Sequence, residues 1–558
     1  MGQDKDSQVN SEQNFIYLNK APAKFRAHLS SNEAFELAKK EGISPQEKAE
    51  QLIKEIKQQK NHLFSEVKAV GGFINYTLSP SGFSVGLQEA LPLKSDKWKG
   101  ETVVVDYSGP NVGKPFSVGH LRSTVIGDAV ANMYQALGAK VIRVNHLGDF
   151  GTQFGKLIVA LKKWGDEGII AANPTEELLK LYVKFHEEVE KEPELNDEAR
   201  AWYKKLEDQD KEAVEIWKKI VDWSLIEYHT MYELLRVEFE SDEVSESGVL
   251  GESFYTKEMM MEIMIELEQK KLVKDSEGAK ILDLGEDIPE TILIKKDGTT
   301  VYLLRDLAAL KYRLEKWKAR KVIYHVGVEQ SLHLKQLFTA AKKLGWLNGV
   351  VLLAAHHGHY RLADGKMSTR AGRGVKLKDL VERGISEAKK LVNDPKKAQS
   401  IAVSAIKYND LSHNRAQDII FEWGKALNLE GNSAPYLVYT NARAHGVFRQ
   451  SKYLSVEKFK EDFTLATPLL KEKKEEELML EIILCRKIIN IATFNAEPNL
   501  LAEKLYQIAR LFNSYYGETK INTEDKDLSD ARLTLTKMVS SVLEEGLAYL
   551  GIQTFEEL

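Results

Sequence analysis

Cysteine is almost missing from this 558-residue chain: Cys485 stands alone, so no internal disulfide can form. It falls in the apolar run Leu478 to Ile491 and reads as a packed core residue suited to a reducing compartment. Long apolar runs are missing too. Nothing approaches the roughly 18 consecutive apolar residues of a membrane helix, and no signal-like segment follows Met1. A soluble cytoplasmic protein without a membrane partner is therefore expected, with Met1 to Gln13 as a polar, disordered tail. Nor is there a surplus of positive charge. Against 78 Lys and Arg stand 83 Asp and Glu, a net charge of −5, so a nucleic-acid partner would need a local basic surface. Lys311, Arg313, Lys316, Lys318, Arg320 and Lys321 are candidates, as is the segment Arg443 to Arg449. Lys471 to Glu477 reads as a solvated helix with i,i+4 ion pairs.

Two phosphate-binding loops are also missing. There is no GxGxxG, and Gly109-Pro-Asn-Val-Gly113-Lys114-Pro115 is one residue short of a P-loop, with proline where a hydroxyl should meet magnesium. What is there is a strand-loop-helix-strand unit. Thr102 to Asp106 reads as a buried strand, and Lys140 to Asn145 as a second. Between them Leu121, Val125, Ile126, Val130, Met133 and Leu137 mark the apolar face of an amphipathic helix. The connection predicts a parallel sheet. The loop brings Ser117, Gly119 and His120 to the helix N-terminus, where free N–H groups favour phosphate. This histidine-and-glycine site is similar to the HIGH signature of class I aminoacyl-tRNA synthetases. Further on, Asp364-Gly-Lys366-Met367-Ser368-Thr369-Arg370 resembles their mobile KMSKS loop, in which Lys and Arg close on a triphosphate.

The wider pattern narrows the resemblance. Ser108 to Ser123, Asn145-His-Leu-Gly-Asp149-Phe-Gly-x-Gln153, Tyr302-Leu-Leu-Arg-Asp306, Gln330-Ser-Leu-His333 and Glu430-Gly-x-x-x-Pro435-Tyr436 resemble, in order, the arginyl-tRNA synthetase family. That resemblance implies an α/β class I Rossmann-type core at residues 96–430, interrupted by a helical insertion at about 157–255 that carries the tRNA acceptor end. Residues 1–95 would form an α+β domain touching the tRNA elbow, and 431–558 an all-α helix bundle that binds the anticodon. Arginine, ATP and tRNA(Arg) are the implied partners, magnesium would ride on the ATP phosphates, and a monomer is expected. The family forms its adenylate only with tRNA bound.

A guanidinium-bearing substrate calls for carboxylates that accept paired hydrogen bonds. By resemblance Asp306 and Tyr302 contact the guanidinium and Asp106 supports them, with Asp306 following a hairpin strand; a helix N-cap is its alternative role. Ser108, Asn111 and Gln330 would hold the amino and carboxylate end, and His357 the adenine. Lys114, His120, Lys366 and Arg370 would act on the phosphates, with Ser117, Gly119, Met367 and Ser368 completing the ATP site. Two positions depart from the pattern: Ser117 replaces the first histidine of HIGH, and Thr369 the second lysine of KMSKS, for which Lys114 would compensate. No metal site in the protein is expected, because adjacent His356 and His357 on a strand face opposite ways. Two alternatives share part of this pattern. One is another nucleotidyltransferase of the superfamily; the other is a tRNA-binding paralogue with weak catalysis.

Overall fold

The computed structural model describes residues 18–58, 62–239, 250–296, 298–362, 376–451 and 463–557. The tail Met1 to Gln13 and the segment Asp364 to Arg370 lie outside them. The chain divides into two compact units, Asp96–Ala426 and a second made of Met1–Ser95 with Leu427–Leu558.

The first unit is built on a four-stranded parallel sheet. Its framework in chain order is β1 (Thr102–Asp106), α1 (Val118–Ala136), β2 (Lys140–Val144), α2 (Pro174–Val189), α3 (Lys211–Leu235), α4 (Tyr302–Trp317), β3 (Lys321–Gly327), α5 (Ser331–Leu344) and β4 (Val351–His357). The strand order is β4-β3-β1-β2, with Asp106 level with Tyr324 on one side and Val144 on the other. Val103, Val104 and Val105 are wholly buried, as are Val322 and Ile323, which is the continuous apolar run a strand covered on both faces requires. The order reverses between β1 and β3, so their carboxyl ends diverge and leave a crevice.

One expectation changes here. Helix α1 is buried on nearly every side rather than along one stripe, because the helix Pro395–Leu411 covers the face turned away from the sheet. Arg122 is driven inside with it and pairs with the buried Asp410 at 3.2 Å. Gly127 is required where α1 meets β1: a Cβ there would lie 2.2 Å from that of Tyr107.

The insertion at about 157–255 is helical in its described residues, as its charged amphipathic sequence predicts, and a small antiparallel sheet of Val273–Ser276, Ala279–Leu282 and Thr291–Ile294 follows before α4. In the second unit a four-stranded antiparallel-paired sheet includes Phe73–Leu78. The remainder is helical, with α6 (Ala434–Arg449), α7 (Lys473–Asn495), α8 (Pro498–Glu518) and α9 (Lys526–Tyr549). The start of α7 is not simply a solvated face. Lys473 and Glu477 do form an exposed i,i+4 pair, but Glu475 is fully buried and accepts from Arg532 Nε of α9 at 2.8 Å. Cys485 is buried, and that burial pushes its thiol up to about 12, so it is inert packing.

Candidate active site

At the carboxyl ends of the strands lies a cavity of about 650 Å³. Asp106 enters it from the end of β1, and Ser108 and Asn111 from the loop that follows. Gly119 and His120 enter from the first turn of α1, Gln330 from the turn after β3, and His357 from the end of β4. Tyr302 and Asp306 complete it from α4. Lys114 and Ser117 are not in its wall; Lys114 is exposed, with Nζ 5.7 Å from the centre of the Tyr182 ring. Lys366, Met367, Ser368 and Arg370 fall outside the described residues.

Asp306 corrects the sequence reading in its local structure. It follows no strand and caps no helix: the strand ends at Ile294, Val301 is the N-cap of α4, and Asp306 lies one turn inside. Four residues apart on a helix, Tyr302 and Asp306 share a face. His333 Nε2 lies 2.5 Å from one carboxylate oxygen of Asp306, and His146 Nε2 3.4 Å from the other. Burial alone would push this carboxyl up, but the two imidazoles outweigh burial and hold it well below the usual range. Both histidines are raised in return, against their own burial. Asp106 has a different partner. Its Oδ2 is 2.8 Å from Nη1 of the buried Arg313, whose guanidinium also lies over the Tyr324 ring.

Arg313 therefore leaves the basic surface expected from sequence, and so does Lys321, which is 1% exposed. Lys311 pairs with Glu266 and Glu315. The register of α4 and β3 turns these cations into the unit's interior or onto carboxylates, which a charge run cannot reveal.

Sequence reasoning missed Glu252. It stands in the cavity wall beside Tyr302 and Asp306, 3.3 Å from Arg305 Nη1, and burial lifts its carboxyl to about 7. Asp149 fixes it there: its carboxylate accepts from Ser253 N at 2.8 Å and Ser253 Oγ at 2.6 Å. The Asn-His-Leu-Gly-Asp block was thus the available signal, although its partner lies 104 residues away.

The phosphate side is arranged differently. The backbone N–H of Ser117 donates to His120 Nδ1 at 3.2 Å. Burial, then the nearby charge of Lys114, lowers His120 to about 4. At neutral pH the ring is uncharged, with its proton on Nε2 as a donor. His357 is the reverse case: Nδ1 donates to Gly358 O at 3.0 Å, leaving Nε2 as an acceptor, and burial lowers it to about 4.

A parallel sheet with a histidine-bearing helix N-terminus at its switch point, and a carboxylate pocket beside it, defines a class I aminoacyl-tRNA synthetase core. Residues 87–423 match the family described as tRNA synthetases class I (R), catalytic domain. Residues 437–558 match the DALR anticodon binding domain and 5–78 the arginyl tRNA synthetase N terminal domain. The arginine–tRNA ligase of Halothermothrix orenii is 38% identical over 520 residues, covering 89% of this chain and 88% of its own. That of an Exiguobacterium species is 40% identical over 543 residues, covering 94% and 92%. The crystal structure of arginyl-tRNA synthetase from Plasmodium falciparum matches with a TM-score of 0.81 at 26% identity, over 97% of this chain and 94% of that one. The chain belongs to the arginyl-tRNA synthetase family, whose ATP-using reaction joins an amino acid to tRNA.

Proposed function

We propose that this chain activates L-arginine with ATP and passes the arginyl group to the terminal adenosine of tRNA(Arg). The observation that carries this reading is Asp306, a carboxylate held ionised inside a cavity by two imidazoles, with Tyr302 one turn before it and Glu252 beside it. Such a wall suits a planar cation at the end of a flexible chain. In this reading Asp306, Tyr302 and Glu252 receive the guanidinium. Asp106, neutralised by Arg313, shapes the floor. Ser108, Asn111 and Gln330 orient the amino and carboxylate groups.

The arginine carboxylate then attacks the α-phosphorus of ATP and pyrophosphate leaves; a ribose hydroxyl next attacks the arginyl carbonyl and AMP leaves. The side chains contribute position and charge rather than proton transfer. His120 offers Nε2–H to phosphate oxygens at the N-terminus of α1, Lys114, Lys366 and Arg370 supply positive charge, and Ser117, Gly119, Met367 and Ser368 shape the phosphate pocket. His357 offers an acceptor to the adenine. Magnesium would arrive on the phosphate oxygens and offset their charge. Among the described residues no group of three His, Cys, Asp or Glu converges as a cage, so no protein ligand is assigned to it.

Domain roles follow from the same reading. The core spans 96–430 with its insertion at about 157–255, residues 1–95 meet the tRNA elbow, and 431–558 meet the anticodon. In α6, Arg443 stacks on Tyr439 and Tyr516, a cation–aromatic group fit for an unpaired base. A cytoplasmic monomer fits this work, and no described helix is long and apolar enough to cross a membrane.

The test is arginine-dependent ATP–pyrophosphate exchange, with and without tRNA(Arg), using citrulline and lysine as competitors. Arginine should support exchange once tRNA is present. Citrulline, which has the shape but not the charge, should neither support nor inhibit it. Equal use of citrulline would refute the carboxylate pocket.

A further inference from the structure

The loop from Ser108 to Ser117 has no secondary structure of its own, yet it carries Lys114 and delivers His120. Such a loop leaves backbone donors and acceptors to be paired elsewhere. Ser108, Gly109 and Ser117 donate their amides to Ser123, Asn145 and His120, but around Lys114, from Asn111 to Phe116, most of the pairing comes from one stripe of the insertion helix α3. Ser224 Oγ accepts from Gly113 N at 3.0 Å, and Glu227 Oε1 accepts from Phe116 N at 3.0 Å. The Tyr228 hydroxyl lies 2.7 Å from Asn111 O and 2.8 Å from Lys114 O, sharing one proton between the two carbonyls. Tyr232 OH is 2.8 Å from Ser108 Oγ and receives Asn145 Nδ2 at 2.9 Å. Residues 224, 228 and 232 repeat every four positions, so these hydroxyls form one row along the helix.

Two further facts bear on how the loop is held. Ser108 has a φ of 71°, a left-handed conformation that costs a non-glycine residue about 1 kcal/mol, so the surroundings must impose it. Ser224 and Tyr228 are completely buried, so water cannot replace them if they withdraw. The far end of the loop is tied down through the same insertion. Phe116 O accepts from Leu377 N at 3.0 Å, and the neighbouring Lys376 pairs with Glu176 of α2 at 2.7 Å. Glu227 is braced in turn by the hydroxyl of Thr175, also on α2.

We propose that α3 is the device that sets the position of Lys114, with Tyr228 and Glu227 as positioning residues of the adenylation step. They touch no substrate. They act through the carbonyl of Lys114 and the amide two residues after it, so an insertion that shifts α3 shifts that lysine with it. The proposal rests on the arginine-activating reading for its kinetic arm but not for its structural arm.

The test is Tyr228→Phe, which removes one hydroxyl while keeping the ring that packs edge-on against Phe116. Amide hydrogen exchange over residues 111–116 of the full chain should accelerate about tenfold or more. The pyrophosphate-exchange reaction should lose about 10²-fold in kcat, the order expected for a misplaced group, with a much smaller rise in KM for arginine, because α4 holds the guanidinium end and the loop contributes only Ser108 and Asn111 at the other. Lys114→Met should lower kcat as well, and the double variant should be no slower than Lys114→Met alone. A purely structural defect would multiply the two losses and raise KM by as much as it lowers kcat. Glu227→Gln, which keeps the acceptor oxygen, should stay within a few fold of the parent. Unchanged hydrogen exchange in Tyr228→Phe would overturn the proposal whether or not arginine is the substrate, and so would multiplicative losses in the double variant. A parent enzyme with no arginine-dependent exchange would instead count against the function reading.

Discussion

The two halves of the cavity are made by opposite means. The half assigned to arginine is charged in advance: Asp306 sits between His146 and His333, Asp106 is matched by Arg313, and each group is carried on a strand, a helix or a turn pinned to one. The half assigned to ATP is polar but nearly uncharged in its fixed part. His120 and His357 are neutral, and Lys114, exposed outside the cavity wall, rides on a loop held from outside by α3. A site that must recognise a permanent cation can keep its charges in place. One that must receive, bend and release a triphosphate does better with neutral donors and with positive charge that arrives on movable segments.

Asp306→Asn tests the charged half and should have the largest effect. Losing one partner of a desolvated ion pair costs about 2–5 kcal/mol, and it should appear as raised KM and reduced kcat/KM for arginine in pyrophosphate exchange. An unchanged arginine KM would remove the contrast altogether. His120→Ala tests the neutral half. A donor aimed at charge growing in the transition state is worth about 10²–10³ in rate, so kcat should fall while arginine KM holds. A shift of KM instead would show the halves to be coupled.

The third prediction uses pH. Glu252 titrates near 7, where raising the pH ionises it, and the raised His146 and His333 lose positive charge in the same direction. Every one of these changes favours a guanidinium. Arginine KM should therefore fall as pH rises toward and through about 7, by up to about tenfold per unit below it. Asp306 adds nothing in this window, since its depressed carboxyl stays ionised. Glu252→Gln should flatten the profile, and a profile that survives the substitution would place the titration elsewhere. Ser117→Ala should do least. The bond to His120 comes from the backbone of Ser117, so only the side-chain contact is lost, and a neutral hydrogen bond is worth about 1 kcal/mol, no more than about fivefold in rate.

The scaffold was largely legible because burial writes itself into local pattern. The parallel strands carry apolar runs such as Val103–Val105, Val322–Tyr324 and Val351–Ala355, and the phosphate loop has glycine, proline and histidine in fixed order. The helix after it was legible as a helix but not in its burial, since no residue of α1 announces that Pro395–Leu411 will cover its second face. The charged pocket was half legible. Asp306 and Tyr302 stand four apart, a spacing that already fits one helical face, yet an Asp-Gly turn just upstream suggested a strand running through Tyr302. Glu252 was legible only through the distant Asn-His-Leu-Gly-Asp block, and the hydroxyl row of α3 not at all. Glu252 is fixed through its neighbour Ser253, whose carboxylate partner lies 104 residues away, and Tyr228 by carbonyls more than 110 residues away. Nothing local marks Glu252, in a short turn, or Tyr228, in a charged helix, as different from any other Glu or Tyr. Part of the basic patch was lost for the converse reason: Lys316, Lys318 and Arg320 stay exposed, but Arg313 is a cation whose partner, Asp106, only the sheet supplies.

The Asp306, Tyr302 and Glu252 wall has a consequence for how this protein can be handled at the bench. A pocket shaped for the tip of an arginine side chain is also shaped for the free guanidinium ion. The common denaturant would then be a specific ligand at concentrations far below those that unfold the chain, and it would inhibit in competition with arginine. Because it would occupy the folded state alone at that point, it would first stabilise what it later destroys. Unfolding curves in guanidinium chloride and in urea would then disagree at their low-concentration ends. Occupancy of this wall would produce that disagreement, and Asp306→Asn should abolish it.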